Sequence, residues 1–262
     1  MNTPITSDRE DAPCPDEQCI ALTGSYRLFQ KRRGHRYSVD DMLVAHLAAT
    51  RVGASPPEHV LDLGCGLGSV LLITAWAFPD ATFIGLERLG EHVAFARRNI
   101  DLNGCQHRAR VVSGDLRDQA LLETLGTFDL VTGSPPYFDP ARGTLCQDPA
   151  RAAAHFELAG GIEDYAAAAS LVLRPRGRFV GCANAEPAGR LENAIDGAGL
   201  SMIYTQQVVP RTGKPPFLTR FVATQKTNAP KEEGPILVLR DAEGRRTPEH
   251  RKIRAWTGVG PR

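Results

Sequence analysis

The run Gly133-Ser134-Pro135-Pro136-Tyr137-Phe138 combines residue types that can activate a poor nucleophile. An amino nitrogen conjugated to a ring or a carbonyl has a delocalised lone pair. Acceptors on both of its N–H bonds make that pair more available, and the Ser134 hydroxyl and Pro135 carbonyl are such acceptors. Pro135 and Pro136 fix the turn and add no N–H donors, so the carbonyl is held in place at little ordering cost. Tyr137 and Phe138 offer a flat surface for a planar acceptor such as a base turned out of its stack, a contact worth roughly 1 to 3 kcal/mol. The bland reading is a proline-stiffened exit loop. The chemical reading makes Ser134, Pro135, Pro136 and Tyr137 the candidate catalytic residues, with Phe138 on the acceptor side.

A second stretch, Val60-Leu61-Asp62-Leu63-Gly64-Cys65-Gly66-Leu67-Gly68, is a glycine-rich turn at the end of an apolar strand. A nicotinamide dinucleotide would ask for glycine or alanine three positions after Gly66, where Ser69 stands. Glycines at alternate positions after an acid fit S-adenosylmethionine instead. Gly64, Gly66 and Gly68 let the backbone pass beneath a ligand, and Asp62 can interact with its cationic amino-acid portion. The next strand ends in Glu87, an acceptor for ribose hydroxyls, and Gly114-Asp115 ends the third with an acceptor for an adenine amino group. Arg88, Leu116 and Ser134 complete this set of candidate cofactor residues. A sulfonium is already an activated methyl donor, so no strong general base is needed and orientation carries the catalysis. The histidines, including His155 in His155-Phe156-Glu157, are given no role.

Residues that must be positioned this way imply alternating elements. Strands are expected at 60–63, 82–86, 110–112, 128–132 and 178–182, with helices from Ser69, over 90–103 and around 165–173. Leu200 to Val209 and Phe217 to Gln225 read as an antiparallel pair around a basic loop, and 236–239 as a late edge strand. The expected fold is α/β: a Rossmann-like, mostly parallel seven-stranded sheet with an antiparallel C-terminal pair and helices on both faces. Residues 1–19 read as a mobile acidic tail and 20–57 as a basic hairpin followed by a helix at 39–50 with Ser38 as N-cap. Residues 58–228 form the core, and 229–262 an edge strand with a basic tail.

Composition excludes several classes. No apolar stretch approaches the roughly 20 residues of a bilayer span, and the polar, acidic start does not read as a secretory signal. A cytoplasmic protein without a membrane partner is expected, with six scattered cysteines reduced. Cys14 and Cys19 have no partner pair at finger-like spacing, so no metal is expected. Nothing argues for an oligomer over a monomer.

Taken in order, Phe29-Gln30, Gly34-His35-Arg36-Tyr37-Ser38-Val39-Asp40-Asp41, the glycine loop, Glu87-Arg88, Gly114-Asp115 and the 134–138 run carry a family signature. Over residues 22–247 the chain resembles bacterial tRNA adenine-N6 methyltransferases that modify the adenosine next to the anticodon of a valine tRNA. In that family the acceptor motif usually begins with asparagine, where this chain has Ser134. The resemblance implies S-adenosylmethionine as cofactor, a tRNA acceptor, and a lead-in whose Arg36, Tyr37 and Ser38 lie over the cofactor.

Net charge is only +1, but it is uneven: Arg27, Lys31, Arg32, Arg33 and Arg36 cluster near the start, Arg211 and Lys214 sit in the late loop, and further arginines crowd the C-terminus. These suit phosphate backbones and are the candidate RNA contacts; a solvated face is the bland alternative. Three rivals stay open: a protein glutamine methyltransferase, a small-molecule N-methyltransferase, and a cofactor-bound RNA-binding module without activity. Related glutamine enzymes carry a substantial N-terminal substrate domain, whereas the segment before Val60 is short and basic here.

Overall fold

The computed structural model of the chain describes residues 13–53, 55–135 and 160–258. Parallel strands β3 (His59–Leu63), β4 (Thr82–Glu87), β5 (Ala109–Ser113) and β6 (Phe128–Gly133) form the middle of the sheet. β7 (Leu173–Asn184) joins β6 in parallel, and β9 (Leu218–Gln225) then pairs antiparallel with both β7 and β8 (Leu200–Val209). The order β8-β9-β7-β6-β3-β4-β5 contains the seven expected strands. Two short strands, β10 (Glu232–Glu233) and β11 (Leu237–Val238), extend it to nine along the outer edge of β8. The 175–177 turn is a bulge inside β7: Phe128 faces Leu173, yet Leu130 faces Arg178, and Arg176 takes φ 66°.

Each buried strand needs apolar cover on both faces. One face is covered by α1 (Val39–Thr50), α2 (Ser69–Ala77) and α3 (Gly90–Leu102), whose Met42, Leu43, Leu71, Val93 and Ile100 join the larger core. The other is covered by α4 (Gln119–Leu125), α5 (Ile162–Val172) and α6 (Arg190–Gly197), with Tyr165, Ala169, Leu191 and Ile195 in the second core. Strand order reverses at β3, which opens a crevice at the carboxyl ends of β3, β4 and β6.

The lead-in is a hairpin of β1 (Glu17–Thr23) and β2 (Tyr26–Lys31), turning at Gly24. It begins inside the stretch read as an acidic tail, because Glu17 is buried and receives both guanidinium nitrogens of Arg98 at 2.8 and 3.0 Å. The free edge of β2 is paired by side chains of α3 and of its C-cap. Asn103 accepts from the Arg27 N–H and donates to its carbonyl, both at 2.8 Å. Asn99, one turn earlier, does the same for Phe29 at 2.7 and 3.1 Å. Two amides thus stand in for a neighbouring strand.

The C-terminal segment, read as a basic tail, contains a helix, α7 (Pro248–Trp256), with Thr247 as N-cap and Pro248 at its start. Those start signals are legible in the sequence. Trp256 meets Trp76 edge-on at 5.9 Å and His46 at 5.1 Å, docking α7 on α1 and α2. No helix among the described residues is long and apolar enough to cross a membrane.

Asn99 is fully buried and its amide makes three hydrogen bonds, so Asn99→Leu should leave buried backbone groups unpaired. A loss of about 1 to 3 kcal/mol in unfolding free energy is expected, measured by urea denaturation; an unchanged midpoint would show that water replaces the amide.

Candidate active site

The glycine loop passes from β3 into α2 through three left-handed residues, Gly64, Gly66 and Gly68, at φ 60°, 54° and 83°. A side chain at Gly64 would strike the Tyr165 hydroxyl, and one at Gly66 would press on His35. The loop is held from below and beside. The Cys65 N–H donates to the Leu86 carbonyl at 3.1 Å and the Gly66 N–H to Glu87 Oε2 at 2.9 Å. Asn99 Nδ2 donates to the Leu67 carbonyl at 2.9 Å, so the same amide ties loop and hairpin together.

Glu87 is buried at the end of β4, its second oxygen accepting from the Leu89 N–H at 2.8 Å. Both oxygens keep lone pairs for a diol. Asp115 lies across the cleft, where Arg117 donates to it at 2.9 and 2.6 Å and Arg88 stands 4.0 Å away. The Arg117 guanidinium beside it holds its carboxyl below the usual range. The cleft between these acids is lined by Gly64, Gly66, Arg88, Leu116 and Ser134, with Leu86 and Leu89 adding apolar wall. A polar diol end and an apolar slot capped by a carboxylate suit a ribose and an adenine.

Several expected residues are displaced from the lining. Asp62 is 2% exposed beneath the loop, accepting from Thr132 Oγ1 at 2.7 Å and the Leu71 N–H at 3.1 Å. It braces β6 and α2, and acts on the cleft through its field. Gly68 is the N-cap of α2, facing Ala96. Tyr37 packs against the core, and the lead-in reaches the cleft with His35 instead. Ser134 lines the cleft with its hydroxyl 3.4 Å from Cys182 Sγ, whereas Pro135 lines a separate recess beside Ile162 and Asn184. Pro136, Tyr137 and Phe138 lie outside the described residues. Of the candidate RNA contacts, Arg27, Arg32, Arg33, Arg36, Arg211 and Lys214 are exposed, while Lys31 pairs with Glu91.

Sequence reasoning missed His35, His92, Tyr165 and Asn99. His35 stacks on buried His92 at 4.9 Å over the cleft wall, with His92 Nδ1 3.9 Å from Glu87. The cue for His35 lay in the lead-in motif itself. Nothing in the sequence marks Tyr165, whose importance comes from the space left by Gly64 and Gly133.

The buried acids set the electrostatics. Burial pushes the Asp41 carboxyl up to about 6, although it accepts from the Ser38 N–H at 3.1 Å and Ser69 Oγ at 2.9 Å. Burial likewise pushes Asp62 up to about 7, with the Asp41 and Glu87 charges adding to the rise. A cation in the cleft would relieve this, and S-adenosylmethionine carries an ammonium and a sulfonium.

Comparison with known proteins agrees with this geometry. Residues 60–153 match the family model described as a methyltransferase domain. A solved structure titled as a predicted O-methyltransferase from Agrobacterium tumefaciens superposes with TM-score 0.61 at 22% identity, over 85% of this chain and 99% of that one. SMU.776, a putative methyltransferase complexed with SAH, superposes with TM-score 0.57 at 14% identity, over 81% and 57%. The fold is that of the class I methyltransferases, the class whose methyl donor is S-adenosylmethionine.

A tRNA1(Val) (adenine(37)-N6)-methyltransferase of Porphyromonas gingivalis is 32% identical over 146 residues, 55% of this chain. The aligned part spans only about half, 56%, of that relative's length. A Yersinia pseudotuberculosis protein of the same name is 26% identical over 230 residues, 83% of this chain and 89% of its own. Over those stretches the chain is similar to these two bacterial adenine-N6 methyltransferases. A release factor glutamine methyltransferase of Chlorobaculum tepidum is 29% identical over 106 residues, 40% of this chain and 36% of that protein.

The raised carboxyls lead to a pH dependence. Asp41 and Asp62 have folded values above the ordinary 3.8, so their contribution to stability is full below about pH 4 and is lost as pH rises through about 6 to 7. A cationic ligand favours their charged forms. Affinity for S-adenosylmethionine should therefore rise between about pH 5.5 and 7.5 with release of protons, read by calorimetry in two buffers of different ionisation enthalpy. Binding without proton release would remove these acids from the cofactor's electrostatics. Separately, Gly64→Ala, strained at φ 60° and blocked by Tyr165, should abolish binding.

Proposed function

We propose that the protein transfers a methyl group from S-adenosylmethionine to the exocyclic N6 amino group of an adenine in structured RNA, a tRNA, in the cytoplasm. The observation that carries this reading is Ser134 in the wall of the cofactor cleft, at the start of a run that continues with two prolines and two aromatics. Bound in the cleft, S-adenosylmethionine supplies a methyl group on a positively charged sulfur.

The chain's own residues do the rest by placement. Glu87 and Asp115 hold the two ends of the nucleoside, and the loop at Gly64 and Gly66 leaves room for the chain that bears the sulfonium. The Ser134 hydroxyl accepts one N–H of the target amine and the Pro135 carbonyl the other, turning the lone pair toward the methyl. Tyr137 and Phe138 are the aromatic residues that the sequence offers to the extruded base. The proton leaves after nitrogen has become cationic, and no imidazole has to take it. Ser134 is shorter than asparagine, so its hydroxyl reaches the amine only if the base sits deeper. The names of the relatives support adenine as the acceptor, and the exposed arginines around the hairpin support RNA.

The same planar-nitrogen chemistry suits a glutamine side-chain amide, and the match to the Chlorobaculum tepidum protein favours that as the second reading.

The test is incubation with methyl-labelled S-adenosylmethionine and either unmodified small RNA or release factor, followed by digestion and separation of products. N6-methyladenosine is expected. Ser134→Ala should lower kcat roughly tenfold or more, and Tyr137→Ala should chiefly raise KM for RNA. Label in release factor and none in RNA would replace the RNA reading with the amide one.

A further inference from the structure

The C-terminal segment starts a run of arginines at the edge of the sheet where the cleft lies. β11 runs parallel to β8 and pairs with Val208 and Val209, the last residues of that strand. β9 pairs antiparallel with both β7 and β8, so β8 ends on the edge where β6 delivers Ser134. Arg240, just beyond β11, therefore emerges on that edge. Its carbonyl accepts from the Thr212 N–H at 2.9 Å, and Arg211 donates to the Ala242 carbonyl, so the basic 210–217 loop and the C-terminal turn are joined. α7 then crosses to the hairpin, where the Thr257 carbonyl receives the Gly24 N–H at 2.6 Å and Thr23 Oγ1 at 2.9 Å.

Along this path like charges are packed together. Burial, and then Arg254 and Arg240, hold the Arg246 guanidinium below its ordinary value. Burial, and then Arg246, Arg254 and Arg240, hold the His250 imidazole down, against a bond to the Leu239 carbonyl that raises it. The nearby acids are spent: Asp241 and Glu243 both pair with Arg245 at 2.9 Å. Among the described residues no carboxylate pairs with Arg240, Arg246 or Arg254, and the shielded Arg246 Nε has no hydrogen-bond partner. Arg254 is also close enough to act on the Tyr37 hydroxyl, next to exposed Arg36 and two positions from cleft-lining His35. Like charges held together destabilise a free protein, and a polyanion offsets that cost.

We propose that Arg240, Arg246 and Arg254, continued by Arg211 and Lys214 on one flank and by Arg36 on the other, form a docking surface for the phosphodiester backbone of the acceptor RNA's stem. This rests on the RNA reading of the cleft. The cleft and the 134–138 run take the extruded base; the arginine arc takes the helical part and sets the register in which the base reaches Ser134. Phosphate contacts of this kind position without reading sequence.

The experiment is fluorescence anisotropy of the full chain, saturated with S-adenosylhomocysteine, against two labelled probes: an RNA stem-loop with adenines in its loop, and the loop sequence alone as a single strand. The variants are the triple Arg240→Gln/Arg246→Gln/Arg254→Gln, the single Arg240→Gln at an exposed side chain, and the charge-keeping Arg246→Lys. The triple variant should bind the stem-loop at least about tenfold more weakly near 0.1 M salt, with a log–log salt slope shallower by about two to three. It should bind the single strand and S-adenosylhomocysteine as the wild type does. Arg240→Gln alone should flatten the slope by about one, which keeps the test open if the triple variant folds poorly; Arg246→Lys should retain wild-type binding. A triple or single variant with unchanged stem-loop affinity and slope overturns the arc and leaves the RNA reading standing. A wild type that binds S-adenosylhomocysteine but neither RNA overturns the acceptor reading, and the arc with it.

Discussion

The cleft depends on a backbone that turns left-handed three times in five residues, at Gly64, Gly66 and Gly68. For an L-residue each such turn costs roughly 1 to 2 kcal/mol, so only glycine holds this shape cheaply. A flexible loop also has to be pinned, and the protein does that with neighbours rather than with the loop's own side chains. Glu87 takes the Gly66 N–H, the Leu86 carbonyl takes the Cys65 N–H, and Asn99 holds the Leu67 carbonyl. Every other part of the site is placed relative to that turn: Tyr165 fills the space that Gly64 leaves, and His35 lies over Gly66.

Asn99 extends the same constraint outward. Its amide reads Phe29 on the hairpin as well as the loop, so hairpin and cleft form one mechanical unit. An edge strand exposes unpaired N–H and carbonyl groups that invite association with other chains. Here Asn99 and Asn103 satisfy them from a helix, and Arg98 lies over the Phe29 ring at 4.9 Å while gripping Glu17. The basic residues at the end of the hairpin are thereby carried to the rim of the cleft on a rigid support.

Charge is divided across the molecule. Asp41, Asp62 and Glu87 gather negative charge beneath and beside the loop, where a cationic cofactor gains from it. Exposed arginines lie on the hairpin, the lead-in and the late loop, where a nucleic-acid backbone would gain from the opposite sign. A net charge of +1 conceals this arrangement, because the chain's 31 basic and 30 acidic residues nearly cancel in the sum.

The local pattern of the chain was enough to determine the seven principal strands, the helices at 39–50 and 90–102, the glycine loop and the strand-end acids Glu87 and Asp115, since period, turn residues and caps are short-range properties. It also contained the start signals of α7, though these lay in a stretch that reads first as charge. Tertiary structure alone decided that Asp62 braces the sheet from below while His35, His92 and Tyr165 line the cleft, and that Asn99 joins loop to hairpin. Residues 35, 64, 87, 92, 99 and 165 lie far apart in the chain. Which of them meet depends on how two layers of helices pack on one twisted sheet, and no spacing along a single strand or helix encodes that distance.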